Sequence, residues 1–495
     1  MIPDWRTDGA AANLQTALVS ATPASSQRAE DAGGVHRGLA LLVAGAFFME
    51  ILDGTVIAPA APHIAEDLGV PAVAINVAIT GYVLTLAVLI PISGWLADRY
   101  GARRVFMTAV AIFTVASVGC AAAVSLPMLI STRVLQGVGG ALMVPVGRLV
   151  VLRSTAKTDL VRAIAYLTWP ALLAPVIAPA LGGLLSTYAS WRWIFVINVP
   201  LGVAGLLLAW RLVPDVRADR VGGLDWRGFA LTALGVAALV LGLEDIGAAE
   251  PNRPLVVTAL AVAAIALTTA VLYLLRARRP LLDLRVLRIA TYRVTALSGS
   301  VFRAVISAVP FLLPLFFQLG FGWTAAEAGL VVIALFAGNV GIKPLTTPLM
   351  RWFGIRTVLL GAVVASAACL TGIAFVEQAT PLPLLLALLA ASGIFRSIGF
   401  TAYNSAAFAD VEPERMTRAN TLMSTLQELG AGLGVAVGAL LVRVGEPLSG
   451  SLGLGSGPAE PFRVAFVMLA VLLVGPAIEA LRLPRSAGNE VTGRG

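Results

Sequence analysis

Apolar and polar positions follow one another along this chain in long blocks. Fourteen apolar runs lie at about 38–61, 75–97, 104–124, 126–149, 163–187, 192–212, 226–247, 254–275, 293–318, 326–350, 355–376, 382–405, 419–443 and 463–483. Short polar segments part them. Each run exceeds the roughly 17 residues that a helix needs to cross the hydrocarbon core of a bilayer. None keeps up a period of two, so the runs predict helices and not the strands of a membrane barrel. The pattern as a whole predicts an all-α polytopic membrane protein with fourteen transmembrane helices.

The polar segments are not equivalent. Those after runs 2, 4, 6, 8, 10 and 12 carry nearly all the basic residues, from Arg99, Arg103 and Arg104 to Arg415 and Arg418. The alternate segments hold few, chiefly Arg192, Arg253 and Arg463. Basic loops stay in the cytoplasm, and an even number of spans puts both termini there. Residues 1–37 are rich in Ala, Ser, Thr and Asp and predict a disordered, uncleaved cytoplasmic tail. A second short cytoplasmic tail is expected at 486–495.

Composition narrows the class further. Hydrophobic residues make up 58% of the 495 and charged ones 13%, with a mean hydropathy of +0.89. A soluble domain is nearer 25% charged. The formal charge of +8 and pI near 10.1 reflect the loop arginines, so they set topology and do not point to nucleic acid. Cys120 and Cys369 lie in apolar runs, as small hydrophobes would. No G-x-x-x-x-G-K-[ST] loop occurs, which argues against ATP as an energy source. Two histidines and two dispersed cysteines give no metal cluster. No cofactor is expected, and no enzyme signature is present. Tryptophans such as Trp169, Trp191, Trp193, Trp210, Trp226 and Trp323 lie mostly near run ends, where interfacial anchoring is expected.

A weak internal repeat divides the chain. D-R-Y-G-A-R-R-V at 98–105 has an echo in M-R-W-F-G-I-R-T-V at 350–358. R-V-L-Q-G-V-G-G-A in run 4 is echoed by R-S-I-G-F-T-A-Y-N in run 12. Runs 1–6 thus correspond to runs 9–14. The expected units are a six-helix bundle over 38–212, an inserted helix pair over 213–285 and a second six-helix bundle over 286–485. Parallel repeats of this kind place a binding site at mid-membrane between them.

Charge inside the runs is where chemistry is to be sought. Glu50 and Asp53 sit near the middle of run 1, about 60° apart on one helix face. A charge at that depth costs roughly 2.5–3.5 kcal/mol or more unless it meets a partner or a watery cavity. Two readings follow: a fixed buried ion pair, or an acid that takes up and releases a proton in a wet chamber between the halves. Arg133, inside run 4, needs an acid or a ring of carbonyls, and Asp53 or Glu50 is the expected partner. Gln136, one turn on, would line the same cavity. The second half offers Gln318, Asn339, Lys343, Arg396, Asn404, Gln427 and Glu428 as cavity residues, with Arg303 among the buried cations. Several cations against few acids would suit an anionic or zwitterionic compound.

Five motifs in order then carry a resemblance over roughly 38–485. They are L-D-G-T-V in run 1, G-W-L-A-D-R-Y-G-A-R-R after run 2, R-V-L-Q-G-V-G-G-A in run 4, A-P-A-L-G-G in run 5 and W-R-W-I-F-V-I-N-V-P-L-G opening run 6. The chain resembles the major facilitator superfamily transporters, in the fourteen-helix drug:proton antiporter branch and its multidrug or small organic-anion exporters. The resemblance implies a gating loop built from Gly94, Asp98, Arg99, Gly101, Arg103 and Arg104, with Asp98 pairing with the arginines or capping a helix. It places Arg133 beside a proton pathway with Asp53; Glu50 is not in the family motif. It assigns Pro175, Pro179, Gly182 and Gly183 to the exporters' run 5 motif. Two departures stand out: Ala178 replaces that motif's first glycine, and Met350 replaces the aspartate in the second gating loop. The implied function is proton-coupled export of a small molecule from a bacterial cytoplasm by alternating access, within the lipid bilayer and without ATP or nucleic acid. Proton-coupled uptake of a nutrient or organic anion is the alternative, and a transport-dead sensor a third reading. The substrate, proton stoichiometry, oligomeric state and any envelope partner stay open.

Overall fold

A computed structural model describes residues 37–215, 222–247, 252–451 and 457–484 of the protein. The two expected tails, apart from Arg37, fall outside the described residues. No strand occurs among the described residues. The first half comprises α1 (Arg37–Leu68), α2 (Asn76–Leu89), α3 (Ser93–Tyr100), α4 (Ala102–Ala121), α5 (Leu126–Arg153), α6 (Leu160–Tyr188), α7 (Trp193–Val196) and α8 (Asn198–Leu212). A middle pair follows, α9 (Trp226–Gly247) and α10 (Arg253–Arg276). Then come α11 (Ala290–Leu315), α12 (Ala325–Gly341), α13 (Lys343–Ala374), α14 (Leu382–Ala409), α15 (Met416–Ser451), α16 (Glu460–Leu472) and α17 (Val474–Arg482).

All fourteen apolar runs are helical. Twelve described helices are long and apolar enough to cross a membrane, and two shorter apolar ones cover Leu160–Pro175 and Glu327–Gly341. Local chemistry explains where helices break. Pro91 lies in the single 3₁₀ turn Ile90–Ile92 between α2 and α3, where its missing N–H is least costly. Gly101 (φ +91°) turns the chain from α3 into α4, and Gly354 (φ +79°) makes the matching turn inside α13. Only glycine takes this left-handed backbone freely. The repeat therefore extends to its turn geometry. The expected helix over 326–350 is interrupted at Ile342, and its second part continues to Gly354 as the start of α13.

Helices α1 and α6 lie side by side, as do α4 and α5, α9 and α10, α12 and α14, and α11 and α15. Small residues set the closest approaches. A Cβ on Gly182 of α6 would meet the Val56 carbonyl oxygen of α1, and one on Gly393 of α14 would strike the Leu335 carbonyl of α12. Close backbone approach of this kind packs helices in lipid, where no hydrophobic force separates tail from side chain. Helix α9 rests on both α2 and α15, so the middle pair touches both halves from the periphery.

Four of the six tryptophans named above are exposed (Trp169, Trp193, Trp210 and Trp226). Trp191 is not: it is buried and donates from Nε1 to Asp67 at 3.2 Å. Its neighbour Arg192, an exception to the loop-charge rule, also pairs with Asp67, at 2.8 Å. Arg463 likewise has Glu460 at 3.1 Å. Each of these two off-side arginines meets a local acid.

Candidate functional site

The deepest polar cluster lies within the first half. Asp53 of α1 and Arg133 of α5 have no exposed surface, and Arg133 Nη1 donates to Asp53 Oδ2 at 2.5 Å. Asp53 Oδ1 accepts from Gln136 Nε2 and from Asn198 Nδ2, both at 2.8 Å. Gln136 also donates to Ser117 of α4 at 2.8 Å, and its Oε1 accepts from Arg133 at 2.7 Å. The guanidinium lies 4.0 Å above the Tyr82 ring of α2. Five helices thus converge on one ion pair. A buried carboxylate needs this density of donors, because an unpaired one would be too costly to ionise.

Asp53 does meet Arg133, but the pair is sealed from solvent and faces no open chamber. Glu50, one turn away, is half-buried and takes a different set of neighbours: Arg148, Glu428 and Asp53 lie within electrostatic reach. The two acids of run 1 thus have different surroundings: Asp53 is bonded within the first bundle, and Glu50 lies within electrostatic reach of Arg148 and Glu428.

That junction holds a second polar chain. Arg148 of α5 donates from Nη1 to Gln427 Oε1 at 2.8 Å, and Gln427 Nε2 donates to Asn404 Oδ1 at 2.7 Å. The Arg148 guanidinium stands 5.3 Å from the Phe47 ring. Glu428, on the same helix as Gln427, has Arg303 within electrostatic reach. Lys343 is also at a junction, donating to Thr168 of the first half at 3.1 Å and to Thr401 of the second at 2.7 Å. Glu428, Asn404, Gln427 and Lys343 are thereby brought to the contact between halves. Three other expected cavity residues are not. Asn339 is buried where α12 packs on α14, Arg396 lies inside the second bundle, and Gln318 sits in a single π-helical turn (Phe316–Gly320) beside an aromatic cluster of Phe316, Phe317, Phe321 and Trp323.

The loop-side closure differs from expectation in its partners. Asp98 neither caps a helix N-terminus nor pairs with Arg99, Arg103 or Arg104. It accepts from Arg153 Nη2 of α5 at 3.0 Å and from the Thr417 hydroxyl of α15 at 3.2 Å, and Arg153 also donates to Thr417. Arg99 and Arg104 are exposed, and Arg103 donates to the Trp210 carbonyl. The physical reason is position: Asp98 lies in the last turn of α3, and its neighbours in space are the ends of α5 and α15. Gly94, one turn earlier, has no room for a side chain, since a Cβ would strike the Thr421 hydroxyl. Trp95 donates to the Gly222 carbonyl at 3.0 Å, and Arg418 pairs with Asp283 at 3.0 Å. Both linkers of the middle pair are thus fastened to this closure, around a cavity of about 540 Å³ lined by Asp98, Asp225, Arg279 and Thr417.

In α6, Gly182 serves the α1 contact and Pro175 is half-buried, while a side chain on Gly183 would meet open space. The side chain of Pro179 falls outside the described residues. Sequence reasoning missed Asn198, Ser117, Tyr82 and Arg148 as partners. Asn198 was visible as the lone amide in an apolar stretch, a group that must find a partner. Arg148 lies at the C-terminal end of its run, where a snorkelling side chain gives the same signal.

Comparison with known proteins places this geometry. The family model described as Major Facilitator Superfamily matches residues 43–435 and 294–492. A "Putative multidrug resistance protein MdtD" of Cronobacter sakazakii is 36% identical over 450 residues, covering 90% of this chain and 94% of that protein. A "Probable transport protein HsrA" of Haemophilus influenzae is 35% identical over 409 residues, 83% of this chain and 88% of that one. Among solved structures, the human organic anion transporter MFSD10 (TETRAN) aligns with a TM-score of 0.60 at 13% identity over 90% of this chain and 99% of that one. The proton:xylose symporter XylE aligns with a TM-score of 0.60 at 14% identity, over 92% and 98%. These two show a shared fold.

Proposed function

Because the chain belongs to the Major Facilitator Superfamily, and so is a multi-pass membrane transporter and not an enzyme, we propose that it exports small amphipathic or organic-ion compounds, drugs among them, in exchange for protons. Its setting is the bacterial cytoplasmic membrane, with both termini in the cytoplasm. The relatives named for multidrug resistance support the direction and the substrate class.

The observation that carries proton coupling is the Asp53–Arg133 pair, enclosed at zero exposure on both sides. A proton added to Asp53 removes the charge that holds Arg133, so the pair has two distinct arrangements. Gln136 and Asn198 can stay bonded to either form of the acid, keeping it in place while its charge changes. Glu50, half-buried toward Arg148 and Glu428, is the route by which this change reaches the contact between halves.

The conformation described is held together where α3 meets α5 and α15, through Asp98, Arg153, Thr417 and the Gly94–Thr421 contact, and in this reading that end faces the cytoplasm. In the proposed cycle, protonation from outside releases substrate. The bundles at 38–212 and 286–485 then rock against the middle pair at 213–285, and the proton leaves inward. Each elementary charge moved is worth about 2.3 kcal/mol per 100 mV, enough to drive accumulation outside. Everted vesicles test the direction: on internal acidification an exporter gathers substrate inside them. Loss of substrate from such vesicles would mean uptake instead.

A further inference from the structure

Between α1, α4 and α8 the surface of the first bundle is hollowed into a groove of about 380 Å³. Its lining is apolar throughout, drawn from between Gly38 and Met49 on α1, from Phe106 and Val110 on α4, and from between Leu201 and Leu212 on α8. Small residues leave the hollow open. A Cβ on Gly45 would meet nothing within 4 Å, and one on Gly205 would stand 3.7 Å from Val110 Cγ1.

The groove is short. The stretch from Gly38 to Met49 rises about 16 Å as a helix, and so does that from Leu201 to Leu212. This is about half of the roughly 30 Å hydrocarbon core, the depth of one leaflet. A partner helix crossing the membrane would need a groove twice as long. An acyl chain needs no more than this. At about 30 Å³ for a water-sized body such as a methylene group, the volume holds roughly a dozen chain carbons.

The end of the groove at Gly38 and Leu212 is basic. A Cβ on Gly38 would lie 3.5 Å from Leu212 Cδ1, so these two residues close that end together. Arg37 precedes the first and Arg211 the second, and both are exposed. Arg103 of α4 joins them by donating to the Trp210 carbonyl. Among the described residues, no carboxylate lies within the 4.0 Å ion-pair distance of any of the three. Guanidinium groups match phosphate with paired, parallel donors. We propose that the groove is a specific site for one anionic phospholipid, its acyl chain between α1, α4 and α8 and its phosphate on Arg37, Arg103 and Arg211. A headgroup of net negative charge is favoured over a zwitterionic one, because no acid pairs with these arginines and none is offered to a headgroup amine.

The test uses full-length protein, delipidated in detergent and returned to phosphatidylglycerol or phosphatidylethanolamine of equal chain length. Native mass spectrometry counts the lipids kept, and thermal unfolding follows their effect. Wild type is expected to keep one phosphatidylglycerol with at least about ten-fold higher affinity than phosphatidylethanolamine, and to show a saturable rise in unfolding temperature. Gly45→Leu fills the groove without a clash and suits a helix, so it should fold and lose the bound lipid of either kind. Arg37→Gln/Arg211→Gln leaves the groove intact and should bring phosphatidylglycerol down to the affinity of phosphatidylethanolamine. Leu207→Phe, at an exposed position of α8 outside the lining, should behave as wild type. Equal retention of the two lipids by wild type, or undiminished retention by Gly45→Leu, would overturn the proposal. So would a wild-type dimer that Gly45→Leu dissolves, or lipid binding that appears only once residues 1–36 are removed. Those results would give the groove to a second copy or to the N-terminal segment of the chain itself.

Discussion

The carboxylate of Asp53 and the guanidinium of Arg133 meet at 2.5 Å from positions eighty residues apart in the chain, neither with any exposed surface. Four further side chains, Gln136, Asn198, Ser117 and Tyr82, close around them. An ion pair so enclosed stabilises little by itself, since desolvation offsets most of its attraction. In the proposed cycle its value lies in a second state, reached by one proton.

Asp53→Asn removes that second state and keeps the shape. The amide can still bond Gln136 and Asn198, so the variant should insert and fold. It should lose accumulation driven by a pH gradient while retaining exchange of labelled for unlabelled substrate. Both are read in the same proteoliposomes, and undiminished gradient-driven transport would remove Asp53 from coupling.

Arg133→Ala should also cost stability, because it leaves Asp53 buried without its counter-ion, to be carried either charged and unpaired or protonated. Breaking one side of a buried pair costs about 3–5 kcal/mol. The double variant Asp53→Asn/Arg133→Ala should be more stable than Arg133→Ala alone. Thermal unfolding of the three variants measures this, and simple additivity would show that the two residues are not coupled.

Asp98→Asn should loosen the closure between α3, α5 and α15, which the proposed topology puts on the cytoplasmic side, since Arg153 and Thr417 would lose their charged acceptor. The expected result is faster modification of Thr421→Cys by a membrane-impermeant thiol reagent applied from the cytoplasmic side. The native Cys120 and Cys369 are both buried and give a low background. An unchanged labelling rate would mean that the closure does not depend on Asp98.

Gln427→Ala interrupts the chain Arg148–Gln427–Asn404, leaving two groups unpaired only where the halves meet. Such groups cost about 1–3 kcal/mol, and roughly 1.4 kcal/mol already shifts an equilibrium tenfold. The population should move away from the closed conformation. Spin-label distances between the cytoplasmic ends of α3 and α15 would lengthen, and an unaltered distance distribution would count against the latch.

Much of the architecture was legible in the residues. The apolar runs locate the helices because lipid leaves backbone groups no other partner. Gly101 and Gly354 mark their turns because few other residues take that backbone. The pairing of Asp53 with Arg133 was also within reach, as two charges at bilayer depth have few places to go. The expected alliance of Asp98 with its own loop arginines was not what formed. Those arginines are near in sequence, but Asp98 lies on a face of α3 turned toward α5 and α15.

Helix positions, the repeat and the presence of a buried ion pair were thus determined by sequence alone, through local backbone chemistry and the cost of charge in lipid. Tertiary structure decided which partner each polar group received: Arg153 for Asp98, Arg148 for Gln427 and Asn198 for Asp53. The reason is rotational. A continuous apolar helix exposes no period that says which way it faces, so only packing against its neighbours selects the side chains that meet.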